Sequence, residues 1–366
     1  MIFILNSILM SFSFSQIWGK VWPILIAILF FGLIIFIHEF GHFITAKLSK
    51  VRVNEFAIGM GPTIFKHQGK ETTYALRLFP IGGFVSMEGE DEECESESSF
   101  NKKPIWKRMI IVAAGAVMNL LLGLVILGIY LSMQPVLTTN IVDDFRENAT
   151  SSKTGLQIGD EIVSINGMSV LTTYDISVGM MRDKDGLIDF VVKRDGKNIR
   201  LENVQFTTGE IEGHKITVHD FYVKPMDKTF FSVAGESVKY SLSVARIVWL
   251  SLFDIITGQY GFNELSGPVG TVAIVGESAS NGFQSWDGFM DMLMLMAFVT
   301  INIGVFNLLP IPALDGGRLF FLLIELVRNK PLNRKYEGMV NAAGLFVLLG
   351  FVALVTFSDI VKLFKG

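Results

Sequence analysis

From Val21 to Ile37 the chain carries no charged side chain, and the same apolar run then places His38, Glu39 and His42 together. That pairing limits the folds open to this sequence more than any other feature. About 20 apolar residues are enough to cross a bilayer as one helix. On a helix, residues four apart lie on one face, so His38 and His42 point the same way. Two imidazoles at that spacing can bind one metal ion, and the glutamate between them can hold a water beside it. An ionisable group deep in a bilayer costs about 2.5–3.5 kcal/mol on insertion scales, so a cluster of three calls for a compensating function. At the helical rise, His38 lies about 25 Å from Val21. The metal position is therefore near the far end of the span.

The 366 residues are 50% hydrophobic and 18% charged, with a mean hydropathy of +0.47. That is too apolar for an ordinary soluble protein, while the middle of the chain is too polar for spans alone. The expected class is a polytopic α-helical membrane protein with an inserted, mainly β domain. A formal net charge of −4 suits no nucleic-acid partner. Cys94 is the one cysteine, which rules out an internal disulfide and a cysteine-based zinc site. The five histidines are His38, His42, His67, His214 and His219, so a carboxylate is the natural third ligand.

Residues 1–20 read as an apolar lead-in at the membrane interface, without the basic start of a secretory signal. Residues 21–46 are the first span. Residues 47–104 hold two alternating runs, Val51 to Phe56 and Thr73 to Leu78, around loops with Gly59-Met60-Gly61-Pro62 and Gly82-Gly83. Two readings stand for them: a small surface hairpin, or a β-loop folded back toward the metal that offers an edge strand to a peptide. The acidic stretch from Glu88 to Glu97 reads as a solvated loop. Residues 105–133 are the second span and contain Gly115-Ala116-Val117-Met118-Asn119, which in isolation reads as an ordinary close helix contact. Residues 134–228 are soluble in composition. Gly155 to Gly167 reads as turn, strand and turn, and Asp195-Gly196 centres a hairpin. Residues 229–287 connect onward, with helical apolar spacing from Phe230 to Ile256 that suits a membrane surface. Residues 288–311 are the third span, interrupted by Asn302 and Asn307. Pro310 and Pro312 then break the helix just before Asp315. Residues 312–338 hold that segment and a loop, residues 339–358 the fourth span and residues 359–366 a tail.

Basic residues crowd the loop between spans one and two, Lys47, Arg52, Lys102, Lys103, Lys107 and Arg108 among them, and the loop carrying Arg318, Arg328, Lys330, Arg334 and Lys335. Both loops are therefore expected in the cytosol and the 134–228 domain outside. Spans one and three then run in the same direction, and His38, His42 and Asp315 fall at one depth near the cytosolic side. Catalytic zinc commonly takes three protein ligands and keeps a fourth position open. His38, His42 and Asp315 make such a set, with Glu39 as the base that carries a proton from water to the leaving amine. Asn307 can donate a hydrogen bond to a substrate backbone, or it can be a helix-packing asparagine.

These residues carry a family resemblance. The chain resembles the site-2 proteases over nearly its whole length, in the bacterial group of zinc metalloproteases of regulated intramembrane proteolysis that includes RseP. His38-Glu39-Phe40-Gly41-His42 matches the family's metal motif, and Asn307 to Gly316 resembles its second motif, whose aspartate is the third zinc ligand. Gly115 to Asn119 fits the G-x-x-x-N signature, with Ala116 where a proline is usual. The Gly155 to Gly167 run is similar to one PDZ domain, the Val51 to Val85 segment resembles the family's re-entrant β-loop, and Leu265 to Gly270 resembles a segment before the third span.

The resemblance implies a multi-pass enzyme of the bacterial cytoplasmic membrane with Zn2+ as cofactor and the PDZ-like domain outside. Its substrates would be single-span membrane proteins already trimmed by an upstream site-1 type protease, such as anti-sigma factors or remnant signal peptides. Gly82, Gly83, Asn307, Pro310 and Pro312 are then the expected substrate contacts. A membrane-anchored PDZ scaffold without activity predicts an incomplete ligand set, and a metal transporter predicts a repeated ionisable path through the spans. The ligand set is complete, and Arg246, Asp254 and Asp291 do not repeat.

Overall fold

The computed structural model describes residues 14–90, 94–211, 214–258 and 267–365. Most of the 1–20 lead-in, and Leu265 and Ser266 of the stretch before the third span, lie outside the described residues. In chain order the elements are α1 (Phe14–Leu48), β1 (Val53–Gln68), β2 (Thr73–Met87), α2 (Ile105–Met133), β3 (Leu137–Phe145), β4 (Glu161–Ile165), β5 (Met168–Ser169) and α3 (Thr173–Arg182). There follow β6 (Leu187–Arg194), β7 (Lys197–Gln205), β8 (Thr208–Ile211), β9 (His214–Thr217), β10 (Phe221–Met226), α4 (Phe230–Ile256), α5 (Pro268–Gly282), α6 (Trp286–Leu308), α7 (Asp315–Arg328) and α8 (Arg334–Lys365). Among the described residues, four stretches are long and apolar enough to cross a membrane: Val21–Leu48, Ile105–Met133, Trp286–Leu308 and Lys335–Lys362. The chain parts into two units, residues 1–126 with 248–366, and residues 127–247.

The first unit holds the metal motif. Its β1–β2 hairpin is more folded than a simple pair of strands. The first half of β1 is paired along both edges: Glu55 faces Ser86 and Thr73, and Ala57 faces Phe84 and Ala75. Both strands must bend to do this, and Gly59 at φ +82° and Gly82 at φ +75° supply conformations that side chains with a Cβ resist. The last residues of β2 thus form an outer strand. Val53, Phe56, Val85 and Met87 from this hairpin share a core with Ala46, Ile111, Val112 and Leu322. Burying these apolar surfaces is what fixes hairpin, α1, α2 and α7 together. A second cluster, Ala27, Phe30, Ile34, Val275 and Val299, joins α1 to α5 and α6.

Three features of this unit differ from the sequence reading. Helix α5 fills part of the segment read as a connector; its first turn is capped by Asp359 of α8, which accepts hydrogen bonds from Gly267 and Gly270 N–H at 3.1 and 2.8 Å. Asp315 does not hang beyond a broken helix but opens the amphipathic helix α7. The acidic stretch is only partly solvated. Glu90 forms an ion pair with Arg318 of α7, and Glu88 accepts a 2.6 Å hydrogen bond from Ser98, which holds its carboxyl below the usual carboxylate range.

In the second unit the sheet runs β10-β3-β4-β6-β7, with β5 paired on β4 and β8–β9 as a separate hairpin. Asp195 and Gly196 both take positive φ between β6 and β7, the geometry of a primed two-residue turn. Ile162, Ile165, Ile188, Phe190, Val192 and Val204 bury the inner faces of these strands. Asp175 completes a capping box with Thr172 at the start of α3.

Candidate metal centre and its cavity

The site is built on three helices. α1 places His38, Glu39 and His42 on one stretch, and the start of α7 brings Asp315 to them. His38 Nε2 and His42 Nε2 are 3.2 Å apart. Asp315 Oδ2 lies 3.1 Å from the first and 3.2 Å from the second. Tetrahedral zinc with bonds of about 2.0–2.1 Å separates its ligand atoms by about 3.3 Å, so the triangle has the size the ion needs. Asp315 Oδ2 is buried without a well-formed hydrogen bond, as expected of an oxygen whose partner is a cation. Two nitrogens and one carboxylate oxygen are also the donor set that catalytic zinc commonly takes.

Helix α2 supplies the back wall, running antiparallel to α1. Ile111 C=O accepts from His42 Nδ1 at 2.8 Å, which leaves Nε2 for a metal. Asn119, fully buried, sets its amide 3.4 Å from His38 Nδ1. Gly115 lies between them, and a Cβ there would come within 2.3 Å of His42 Nε2 and 2.8 Å of His38 Cε1. The Gly115 to Asn119 spacing is therefore more than a helix contact: its small residue makes room for both rings. At the other wall, a Cβ on Gly316 would meet Leu309 C=O at 2.0 Å and one on Gly317 would meet Ile311 C=O at 2.5 Å. The glycines after Asp315 let the first turn of α7 fold back on the loop of Pro310 and Pro312, in which Ala313 takes φ +73°.

A cavity of about 480 Å³ opens on the triangle. Glu39 lines it, as do Gly83 to Met87 of β2, Glu90 and Arg318. Gly83 is seated against the base: a Cβ there would stand 2.8 Å from Glu39 Cγ and 3.0 Å from Ala57 C=O. Gly82, Asn307, Pro310 and Pro312 are not part of this lining. Asn307 is half-buried near the end of α6, and Pro312 packs against Gly344 of α8. Sequence reading did not reach the Ile111 carbonyl, Glu90 or Arg318. A backbone carbonyl has no signature, and the Glu90–Arg318 pair joins residues far apart in the chain.

The comparisons agree with this geometry. Residues 26–351 match the model of peptidase family M50. A Clostridium acetobutylicum protein provisionally named as a zinc metalloprotease is 37% identical over 92% of this chain and 97% of its own. The regulator of sigma-W protease RasP of Bacillus subtilis is 30% identical over 92% of this chain and 98% of its own. The zinc metalloprotease RasP of Bacillus licheniformis is 31% identical over the same shares. A catalytically inert scaffold is thereby set aside, and the chain belongs to peptidase family M50 as a zinc metalloprotease of the site-2 type.

Proposed function

We propose that this enzyme hydrolyses peptide bonds within the membrane spans of single-span proteins that a site-1 type protease has already shortened on the outer side. The supporting observation is a single cavity that holds the ligand triangle, Glu39 and an outer strand. His38 and His42 would hold zinc through Nε2, and Asp315 through Oδ2. Held there, zinc would supply Lewis acidity and a water whose pKa is lowered to about 7. Glu39 takes the proton of the attacking water and delivers it to the amine as the C–N bond breaks, so it ends as it began. A helical peptide bond hides its carbonyl inside the helix, so a substrate span has to unwind first. Gly83 to Met87 of β2 then receive it as an added strand. Asn307, Gly82, Pro310 and Pro312 hold more distant parts of the substrate.

The enzyme works as a multi-pass protein of the bacterial cytoplasmic membrane, with the metal near the cytosolic side. The name of the Bacillus subtilis relative, a regulator of sigma-W protease, favours anti-sigma factors over remnant signal peptides as substrates. The PDZ-like residues 134–228 lie outside and refuse untrimmed substrates by bulk. The test uses purified protein and one single-span substrate. Glu39→Gln is expected to keep its zinc and lose cleavage by about 10²–10⁴-fold, the contribution of a general base, while His38→Ala and Asp315→Ala lose both. Retained cleavage by Glu39→Gln refutes the assignment. Equal cleavage of the same substrate with its outer domain attached refutes the trimming requirement.

A further inference from the structure

We propose that Asn119 is a positioning residue: its amide oxygen holds the His38 proton on Nδ1 and so keeps the Nε2 lone pair turned to the metal. This role rests on the zinc site proposed above. A neutral imidazole carries one proton, on one nitrogen or the other, and a nitrogen that carries it cannot ligate. For His42 the choice is fixed by chemistry, because Ile111 C=O can only accept, and it stands 2.8 Å from Nδ1. At His38 the facing group is the Asn119 amide, which has a donating and an accepting end of the same shape.

With Nδ2 toward the ring, at 3.4 Å, the amide donates to Nδ1 and drives the proton onto Nε2. Nε2–H would then point at Asp315 Oδ2, 3.1 Å away, and could bind no ion. Half a turn of the amide brings Oδ1 to Nδ1 and carries the NH2 to the place where Oδ1 has no partner. The number of hydrogen bonds is unchanged, but the proton is then fixed on Nδ1 and Nε2 faces the triangle bare, as ligation requires. Both histidines are then served by one face of α2. Ile111, Gly115 and Asn119 stand four residues apart, and the glycine between the two acceptors lets that face come close enough to reach both rings.

The experiment measures the zinc dissociation constant of the detergent-purified full chain by chelator competition. Asn119→Leu, of similar size but without the acceptor, is expected to bind zinc about 10–100-fold more weakly, the usual effect of losing the group behind a ligand histidine. Asn119→Asp, which keeps the acceptor, is expected to stay within about threefold of the wild type. A space-filling role predicts the reverse order, with Leu tolerated and Asp damaging, and that order overturns the proposal. If Asn119→Leu is not monodisperse, Asn119→Ala carries the same expectation, and wild-type affinity in it overturns the proposal equally. His38→Ala in the same titration separates the two levels. Loss of zinc there with normal affinity in Asn119→Leu refutes the role of Asn119 alone, whereas retention of zinc in His38→Ala refutes the metal site and this role with it.

Discussion

The chain contains two antiparallel β structures, and they treat their apolar side chains in opposite ways. The sheet of β3 to β10 turns Ile162, Ile165, Ile188, Phe190 and Val192 inward and buries all of them completely. The β1–β2 hairpin buries its base but leaves Met60, Ile64, Phe65, Leu76, Leu78 and Phe79 exposed toward its tip. An apolar patch of that kind on a soluble protein is a liability or a binding surface. In a chain with spans this apolar, the cover we propose for it is lipid. The edges differ too. In the sheet, the glycine of the β6–β7 turn faces open space. In the hairpin, Gly83 is pressed against the side chain of Glu39. One structure is complete in itself, and the other is shaped by what it must meet.

The contrast between the two glycines gives the largest expected effect. Gly83→Ala pushes a methyl group into Glu39 Cγ and Ala57 C=O. Displacing a catalytic group by about 1 Å costs on the order of 100-fold in rate, so cleavage should fall by 10- to 100-fold while zinc content stays normal. Gly196→Ala meets no atom within 4 Å but must hold φ near +76°, which costs about 1 kcal/mol of stability and should leave cleavage unchanged. Kinetics and thermal unfolding of both variants check the pair. Equal loss of activity in the two would erase the distinction between a turn glycine and a site glycine.

The tip offers the second comparison. Phe65 and Phe79 are 61% and 53% exposed in the hairpin, and Ile158 is 64% exposed in the other unit. If lipid covers the tip, Phe65→Asp or Phe79→Asp should lower cleavage in proteoliposomes by about tenfold or more, in line with the cost of a charge in the bilayer. Ile158→Asp, at an exposed position of the domain proposed to lie outside, should change stability by no more than about 0.5 kcal/mol. Quenching of a fluorophore at position 65 by brominated lipid reads the same contact directly. A tip that tolerates both aspartates without loss belongs in water, and the hairpin is then an ordinary one.

What was legible in the sequence follows the range of the signal. The four apolar stretches and the Asp195-Gly196 hairpin announce themselves locally, through uninterrupted hydropathy and a turn that demands positive φ. His38 and His42 are legible because a helix fixes the meaning of a four-residue spacing. Asp315 was reachable through the direction of the spans and through the resemblance of Asn307 to Gly316 to a family motif, since no local spacing ties it to α1. The double pairing of β1 was hidden because it depends on two bends within strands that alternate evenly. Helices α5 and α7 were missed for different reasons: the first is rich in Gly, Ser and Val, and the second starts directly after two prolines. The Glu90–Arg318 pair shows the limit, because an acidic run reads as solvated wherever its partner is distant in sequence.

The smallest expected effect sharpens the view of the sheet as a self-contained unit. His219 stacks on Phe221, with ring centroids 4.0 Å apart. Burial, and then the nearby Arg146 charge, hold its pKa below the ordinary value near 6.5, against a weaker opposing pull from Asp220. In the unfolded chain the imidazole is free to take up a proton near pH 6.5. Below that pH the unfolded state binds the proton that the folded state resists, so folding stability falls as pH drops from about 7 to 5 and is flat in this respect above 7. Replacing the ring with one of similar shape and no proton, His219→Phe, should remove this part of the slope. Thermal unfolding of wild type and variant across pH 5 to 8 measures it. The wild-type curve should fall relative to that of the variant as pH drops from 8 to 5. Parallel curves would mean that His219 takes up its proton in the folded sheet as readily as in the unfolded chain, and that its environment is wetter than its packing on Phe221 implies.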